Sequence, residues 1–265
     1  VSEIFQFTPG TTPLLISVPH CGTFIPPDIA ARMTPEALAA PDTDWHVEKL
    51  YDFATALGAG LITATHSRYV VDLNRDPSGK PLYPGADNSE LAPLKTFASE
   101  PIYLPGQEPD QAAIAARRNA YWLPYHDKIA DELTRLRAQF GVAVLWDGHS
   151  ILSEVPRFFE GRLPDFNLGT GKGVTADAEL TARVMAVLRG AEGFTSILNG
   201  RFTGGYITRH YGQPEAGIHA LQLEMAEIAY MEEGPPFAWD PARAEKLVSV
   251  LRQVVAALIG WSAKV

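Results

Sequence analysis

Leu14-Leu15-Ile16-Ser17-Val18 is a short apolar run closed by Pro19-His20-Cys21-Gly22. A run of that length bounded by Pro and Gly reads as a buried strand that stops at a turn. Runs of this kind alternate along the chain with stretches of helical period, and that alternation constrains the fold more than any other feature. It predicts one α/β domain over residues 1–265, with a mixed, mostly parallel sheet flanked by helices. His20 then projects from a strand end, where α/β proteins place their chemistry.

Residues 1–13 read as an edge segment or arm, and 24–41, rich in Pro and Ala, as turns and short helices. Val47, Leu50, Phe53, Ala54 and Leu57 recur at helical spacing between Asp44 and Gly58, so a helix is expected there. Residues 61–73 are rich in β-branched side chains and read as one bent strand or two short ones. Pro and Gly make 77–107 a long loop, of the kind that serves as a lid. The longest helical pattern runs from Asp110 to Phe140, with Pro124 expected to kink it and Gly141 to stop it. Val142–Trp146 is the next buried strand, ending at Asp147-Gly148-His149-Ser150. Residues 154–173 look like loop, 176–189 a helix, Ile197 and Tyr206–Thr208 short strands, and Ile218–Met225 a strand bearing Glu224 near its end. Asp240-Pro241 pairs an N-cap with a first-turn proline and opens the closing helix.

At 46% hydrophobic and 20% charged, the composition is that of a globular chain rather than a disordered one. No apolar run approaches the roughly 20 residues of a membrane span, and the N-terminal residues carry no charged-then-apolar signal pattern, so a soluble, cytoplasmic protein is expected. The single Cys21 excludes an internal disulfide and a Cys-rich zinc site. The formal charge of −9, with no basic run, argues against nucleic-acid binding. It also means that an anionic ligand needs a local arginine cluster to reverse the field.

The chemistry-bearing residues fall in separate stretches. His20 and His149 at two strand ends, with a carboxylate, form the ligand set of a catalytic zinc site that leaves a position for water. Asp44 is a candidate carboxylate, though a helix start favours an acid there without any metal. Glu224 sits where a buried strand normally holds an apolar side chain, which suits either catalysis or a buried ion pair. Asn74 and Arg75 together can grip a carboxylate, Arg by a bidentate fork, and Arg68 and Arg209 add positive charge or lie on the surface. His126, within the long helix beside aromatics, reads as a packed histidine. The glycine-rich run 169–173 lacks P-loop spacing and reads as a turn. Ser150 lacks the Gly-x-Ser-x-Gly elbow of a serine hydrolase.

Taken together and in order, Val18-Pro19-His20-Cys21-Gly22-Thr23, Asp42-Thr43-Asp44-Trp45-His46, Val71-Asp72-Leu73-Asn74-Arg75-Asp76, Asp147-Gly148-His149-Ser150, Gly204–Gly212 and His219–Glu224 resemble the N-formylglutamate amidohydrolases. More distantly, the order of histidine, acid, Asn-Arg, histidine and glutamate is similar to the zinc carboxypeptidases and aspartoacylases. The resemblance implies a zinc-carboxypeptidase or phosphorylase/hydrolase-like fold and release of formate from N-formyl-L-glutamate, a step of histidine degradation. Another zinc-dependent N-acyl amino acid deacylase, a carboxypeptidase-like hydrolase, or a non-catalytic binding protein would share the pattern. It implies one divalent ion, Zn2+, held by His20, Asp44 and His149. Glu224 would be the general base and acid, with Arg68 at the oxyanion. Asn74 with Arg75 would hold one substrate carboxylate and Arg209 the other. One departure matters: the relatives carry a compact His-x-x-Glu, whereas Thr23 stands three residues after His20. Asp44 is therefore the expected replacement ligand, with Asp42 and His46 as alternatives. The metal's identity and the oligomeric state are not fixed by the sequence.

Overall fold

The computed structural model describes residues 3–82, 85 and 88–262. The first two positions of the N-terminal arm, and positions 83, 84, 86 and 87 of the expected lid loop, lie outside the described residues. A seven-stranded mixed sheet is built from β1 (Phe5–Thr8), β2 (Leu14–Val18), β3 (Gly60–Ala64), β4 (Ala143–Ile151), β5 (Phe166–Gly169), β6 (Ser196–Leu198) and β7 (Ile218–Ala226). Their spatial order is β1-β3-β2-β4-β7-β5-β6. The central four run parallel, β1 is antiparallel to β3, and β5 is antiparallel to β7. The helices are α1 (Pro27–Ala30), α2 (Pro35–Leu38), α3 (Val47–Leu50), α4 (Gln111–Arg117), α5 (Leu123–Phe140), α6 (Ala178–Gly190), α7 (Tyr206–Tyr211) and α8 (Pro241–Ser262). Among the described residues no helix is long and apolar enough to cross a membrane.

Strand parity assigns each side chain to a face. Leu14, Ile16, Val144, Trp146, Leu221 and Leu223 pack with α3, α6 and α8. Leu15, Ala143, Leu145 and Ala220 pack on the other face against Tyr125, Ile129, Leu133 and Leu136 of α5. The central strands are covered on both sides, which is why they read as apolar runs rather than as alternations.

Several elements differ from the sequence expectation. Tyr206–Thr208 opens a helix and not a strand, because Asn74 Oδ1 accepts the Ile207 N–H at 2.8 Å and caps α7 from a distant loop. Phe166–Gly169 is a strand inside the expected loop; its pairing with β6 and β7 supplies what its sequence does not signal. β4 continues through Ile151, so His149 lies within the strand rather than after it. After Ala64 the chain leaves the sheet, since Ser67 Oγ accepts the Tyr69 N–H and Arg68 pairs with Asp72 one turn on. The helix expected from Asp44 is split into α3 and a 3-10 segment, Asp52–Leu57. In the long helix the irregularity is a π turn, Arg118–Trp122, just ahead of Pro124; there the Leu123 N–H reaches back five residues to the Arg118 carbonyl.

Candidate functional site

Three segments deliver a histidine–carboxylate group to the carboxyl ends of β2 and β4. The Asp44 N–H donates to the His20 carbonyl at 3.1 Å, folding the loop ahead of α3 over the end of β2. Asp44 Oδ2 then lies 3.1 Å from Nδ1 of His149 and 3.6 Å from Nδ1 of His20. One potential ligand atom from each of the three lies within 4.8 Å of the others, and all three residues are buried. Behind the rings, His20 Nε2 lies 2.8 Å from Asp72 Oδ1, and His149 Nε2 lies 2.8 Å from Asp147 Oδ2 and 3.1 Å from Asn74 Nδ2. A carboxylate can only accept: with a cation at the Nδ1 atoms each ring would carry its proton on Nε2, toward Asp72 or Asp147, whereas without one His149 Nδ1 also faces an acceptor, Asp44 Oδ2. Two imidazole nitrogens and one carboxylate oxygen, with both rings oriented by outer carboxylates, fit a divalent ion such as zinc.

The electrostatics agree with that fit. Burial alone would raise Asp44, but His20 and His149 outweigh it and hold the carboxyl well below its usual range. Burial likewise disfavours a charged His149, yet Asp147 and Asp44 push it well above its ordinary value. Without a cation, the imidazole itself is drawn toward carrying the positive charge.

Glu224 stands on β7 directly opposite His149 on β4, and Gln222 opposite Asp147. Burial pushes Glu224 up to about 8, where a carboxyl can both take and return a proton near neutrality. Arg68 spans two acids, donating to Asp72 Oδ2 at 2.7 Å and to Asp44 Oδ1 at 3.4 Å, and its guanidinium lies 4.8 Å from the Phe97 ring centre. Arg75 donates through Nε to the Ser89 carbonyl, through Nη2 to Ser89 Oγ, and through Nη1 to the Asn74 carbonyl. His20, Arg68, Asn74, Arg75, His149 and Glu224 line one cavity of about 480 Å³, partly open to solvent, whose apolar wall includes Phe97, Phe158 and Phe202.

Other residues singled out in the sequence fall elsewhere. The Asp42 carboxylate accepts the Phe97 N–H, and the His46 ring is held between the Phe237 carbonyl and Lys49. Arg209 lies across Leu82 from the cavity, donating to the Leu82 carbonyl and to Thr203 Oγ1. His126 is packed, stacked on Trp122 with 3.6 Å between ring centres. Ser150 Oγ bonds Tyr230 Oη rather than an imidazole. Asp147 and Gln222, and Asp72 as a partner of His20, received no role from the motifs. A usable signal was present: residues two apart on a strand share a face, so Asp147 precedes His149, and Gln222 precedes Glu224, on the same side.

A sheet of this kind, carrying a buried carboxyl opposite a candidate metal centre at the ends of parallel strands, defines a hydrolase on a mixed α/β scaffold. The chain matches the N-formylglutamate amidohydrolase family over residues 12–231. An N-formylglutamate deformylase of Pseudomonas aeruginosa is 50% identical, over 98% of both chains. One of Pseudomonas putida is 46% identical, over 100% of this chain and 98% of its own. The crystal structure of an N-formylglutamate amidohydrolase from Ralstonia eutropha superposes with a TM-score of 0.80 at 25% identity, covering 98% of this chain and 97% of the other. The protein belongs to the N-formylglutamate amidohydrolase family.

Proposed function

We propose that this protein hydrolyses N-formyl-L-glutamate to formate and L-glutamate with one divalent metal ion, zinc, held by His20, Asp44 and His149, and that it acts in histidine degradation. The observation that carries the chemistry is the His20–Asp44–His149 group with Glu224 facing it from the neighbouring strand. The substrate reading rests on the names of the relatives in Pseudomonas.

When bound, zinc would polarise the formyl carbonyl and lower the pKa of a water at the site to about 7. Glu224 takes the proton of that water and returns it to the glutamate nitrogen as the amide bond breaks. Arg68, anchored on Asp72, steadies the developing oxyanion. Asn74 and Arg75 hold one substrate carboxylate; a carboxylate accepts from a guanidinium more strongly than the Ser89 hydroxyl it would displace. Arg209, beyond Leu82, acts on the second carboxylate as the substrate approaches.

The test is formate release from N-formyl-L-glutamate before chelation, after it, and after zinc is restored, beside N-acetyl and N-succinyl glutamate. Chelator-sensitive, zinc-restored release selective for the formyl group supports the reading. Metal-replete protein that yields no formate, or that prefers a larger acyl group, overturns it.

A further inference from the structure

Resting on that reading, we infer that Gln222 is a positioning residue that ties the proton-transferring Glu224 to the loop that holds Asn74. Gln222 is 3% exposed and shares a face of β7 with Glu224. Its amide orientation is settled by its partners. The backbone N–H of Gly205 can only donate, and it lies 2.6 Å from Oε1, so Nε2 is the end turned to Glu224 Oε2, at 3.2 Å. One oxygen of the Glu224 carboxyl is thereby held, leaving Oε1 as the end available to a water.

The other end of the amide continues into the substrate-gripping side. Gly205 lies flat against Asn74, so closely that a Cβ on it would fall 2.2 Å from Asn74 Nδ2. Two residues on, the Ile207 N–H donates to Asn74 Oδ1 at 2.8 Å. Gly204 is itself wedged on β5, where a Cβ at Gly169 would meet the Gly204 nitrogen at 2.5 Å. The Gly204–Gly205 segment therefore cannot drift without moving Gln222 or Asn74. The pair Gln222/Glu224 repeats on β7 what Asp147/His149 does on β4, each outer residue holding the one two positions on.

The two ends of the amide separate in experiment. Gln222→Glu keeps an acceptor for Gly205 and replaces the amide donor to Glu224 by a second buried carboxyl, whose shared proton hinders Glu224 as a base, whereas Gln222→Leu removes both contacts. With Gln222→Glu, kcat should fall by roughly 10–100-fold, the range for losing an orienting partner, while KM stays near wild type. With Gln222→Leu, kcat should fall similarly and KM rise by roughly tenfold, as the Asn74 side loosens. Near-UV circular dichroism on both variants identifies any that fails to fold, and Gln222→Leu adds no charge to the site. In a Glu224→Gln background, Gln222→Glu should cost nothing further. Wild-type kcat in folded Gln222→Leu and Gln222→Glu, beside an inactive Glu224→Gln, overturns the positioning role alone. Full activity in Glu224→Gln, or none in metal-replete wild type, shows that the underlying reading has failed and takes this inference with it.

Discussion

Gly205→Ala is the sharpest test of the substrate-gripping side, because its effect follows from distances alone. The backbone at Gly205, φ −82° and ψ −164°, is open to alanine, so the substitution carries no backbone strain. Its methyl group, however, would lie 2.2 Å from Asn74 Nδ2, 2.5 Å from Oδ1 and 2.6 Å from Cγ, where ordinary contact begins at 3.4 Å. Asn74 must therefore retreat by about an ångström, and Gln222 holds Gly205 from the other side so that the loop cannot yield instead. Overpacking of this kind costs ~1–3 kcal/mol, and a shift of that size in a substrate-positioning group costs roughly 10²-fold in rate. We expect kcat/KM for N-formyl-L-glutamate to fall by about 10²-fold; because Asn74 Nδ2 also lies 3.1 Å from His149 Nε2, bound metal is measured alongside, so that loss of the ion is told apart from loss of substrate positioning. Asn74→Ala removes the obstructing amide, so Gly205→Ala added to it should change kcat/KM little. A folded Gly205→Ala protein with wild-type kcat/KM would refute the argument that Asn74 is fixed and needed where it stands.

Asp147→Asn weakens the acceptor behind His149, and metal affinity should drop ~10–100-fold in competition with a chromophoric chelator; equal affinity would remove Asp147 from that role. Chelation should also lower Tm, with recovery on adding zinc, because the three ligands converge only in the folded chain; an unchanged Tm would argue against a resident ion. His126 gives a pH test, since burial pushes it from 6.5 down to about 3. Below the unfolded value the unfolded chain takes up a proton that the folded one refuses, so stability is lost as pH falls from about 6.5 towards 3. The loss from this residue approaches ~1.4 kcal/mol per pH unit. His126→Phe should flatten the fall in urea midpoint between pH 7 and pH 4, and parallel curves for the two proteins would sink the assignment.

The parts of the fold legible in the sequence were those whose pattern is local. Leu14–Val18 and Val142–Trp146 are buried on both faces and read as strands, and Asp240-Pro241 announced α8. What escaped depends on distant partners. Nothing in Tyr206-Ile207-Thr208 shows that Asn74 will cap it, and Phe166–Gly169 becomes a strand only because β6 and β7 flank it. The candidate site divides in the same way. His20, His149 and Glu224 stand out as polar residues at strand ends, but which of Asp42, Asp44 and His46 lies beside the two histidines depends on loop geometry. The Asp44 N–H folds onto the His20 carbonyl, while the Asp42 side chain turns to Phe97 and the His46 ring to Phe237. Arg209 is a further case: that its guanidinium comes to rest across Leu82 from the cavity, on the Leu82 carbonyl and Thr203 Oγ1, depends on partners distant in the chain.

The net charge of −9 raised a problem that the site answers by arithmetic. Around the two imidazoles stand the carboxylates of Asp44, Asp72 and Asp147, set against the guanidiniums of Arg68 and Arg75. Burial pushes Glu224 toward the neutral form, as it does Asp42 and Glu227 farther out. With neutral imidazoles the three acids then exceed the two guanidiniums by one charge. Buried charges in that proportion are costly unless something compensates them. A cation at the His20, Asp44 and His149 donors would offset that charge, and a divalent one would leave the site net positive toward an anionic substrate. It also resolves the conflict between an acidic protein and an anionic substrate. A bound cation would neutralise the carboxylates that now hold Arg68 and Arg75, and so would free those arginines for a substrate's own carboxylate. On this argument the metal's contribution extends beyond the reacting bond: loss of the ion should weaken substrate binding as well as turnover.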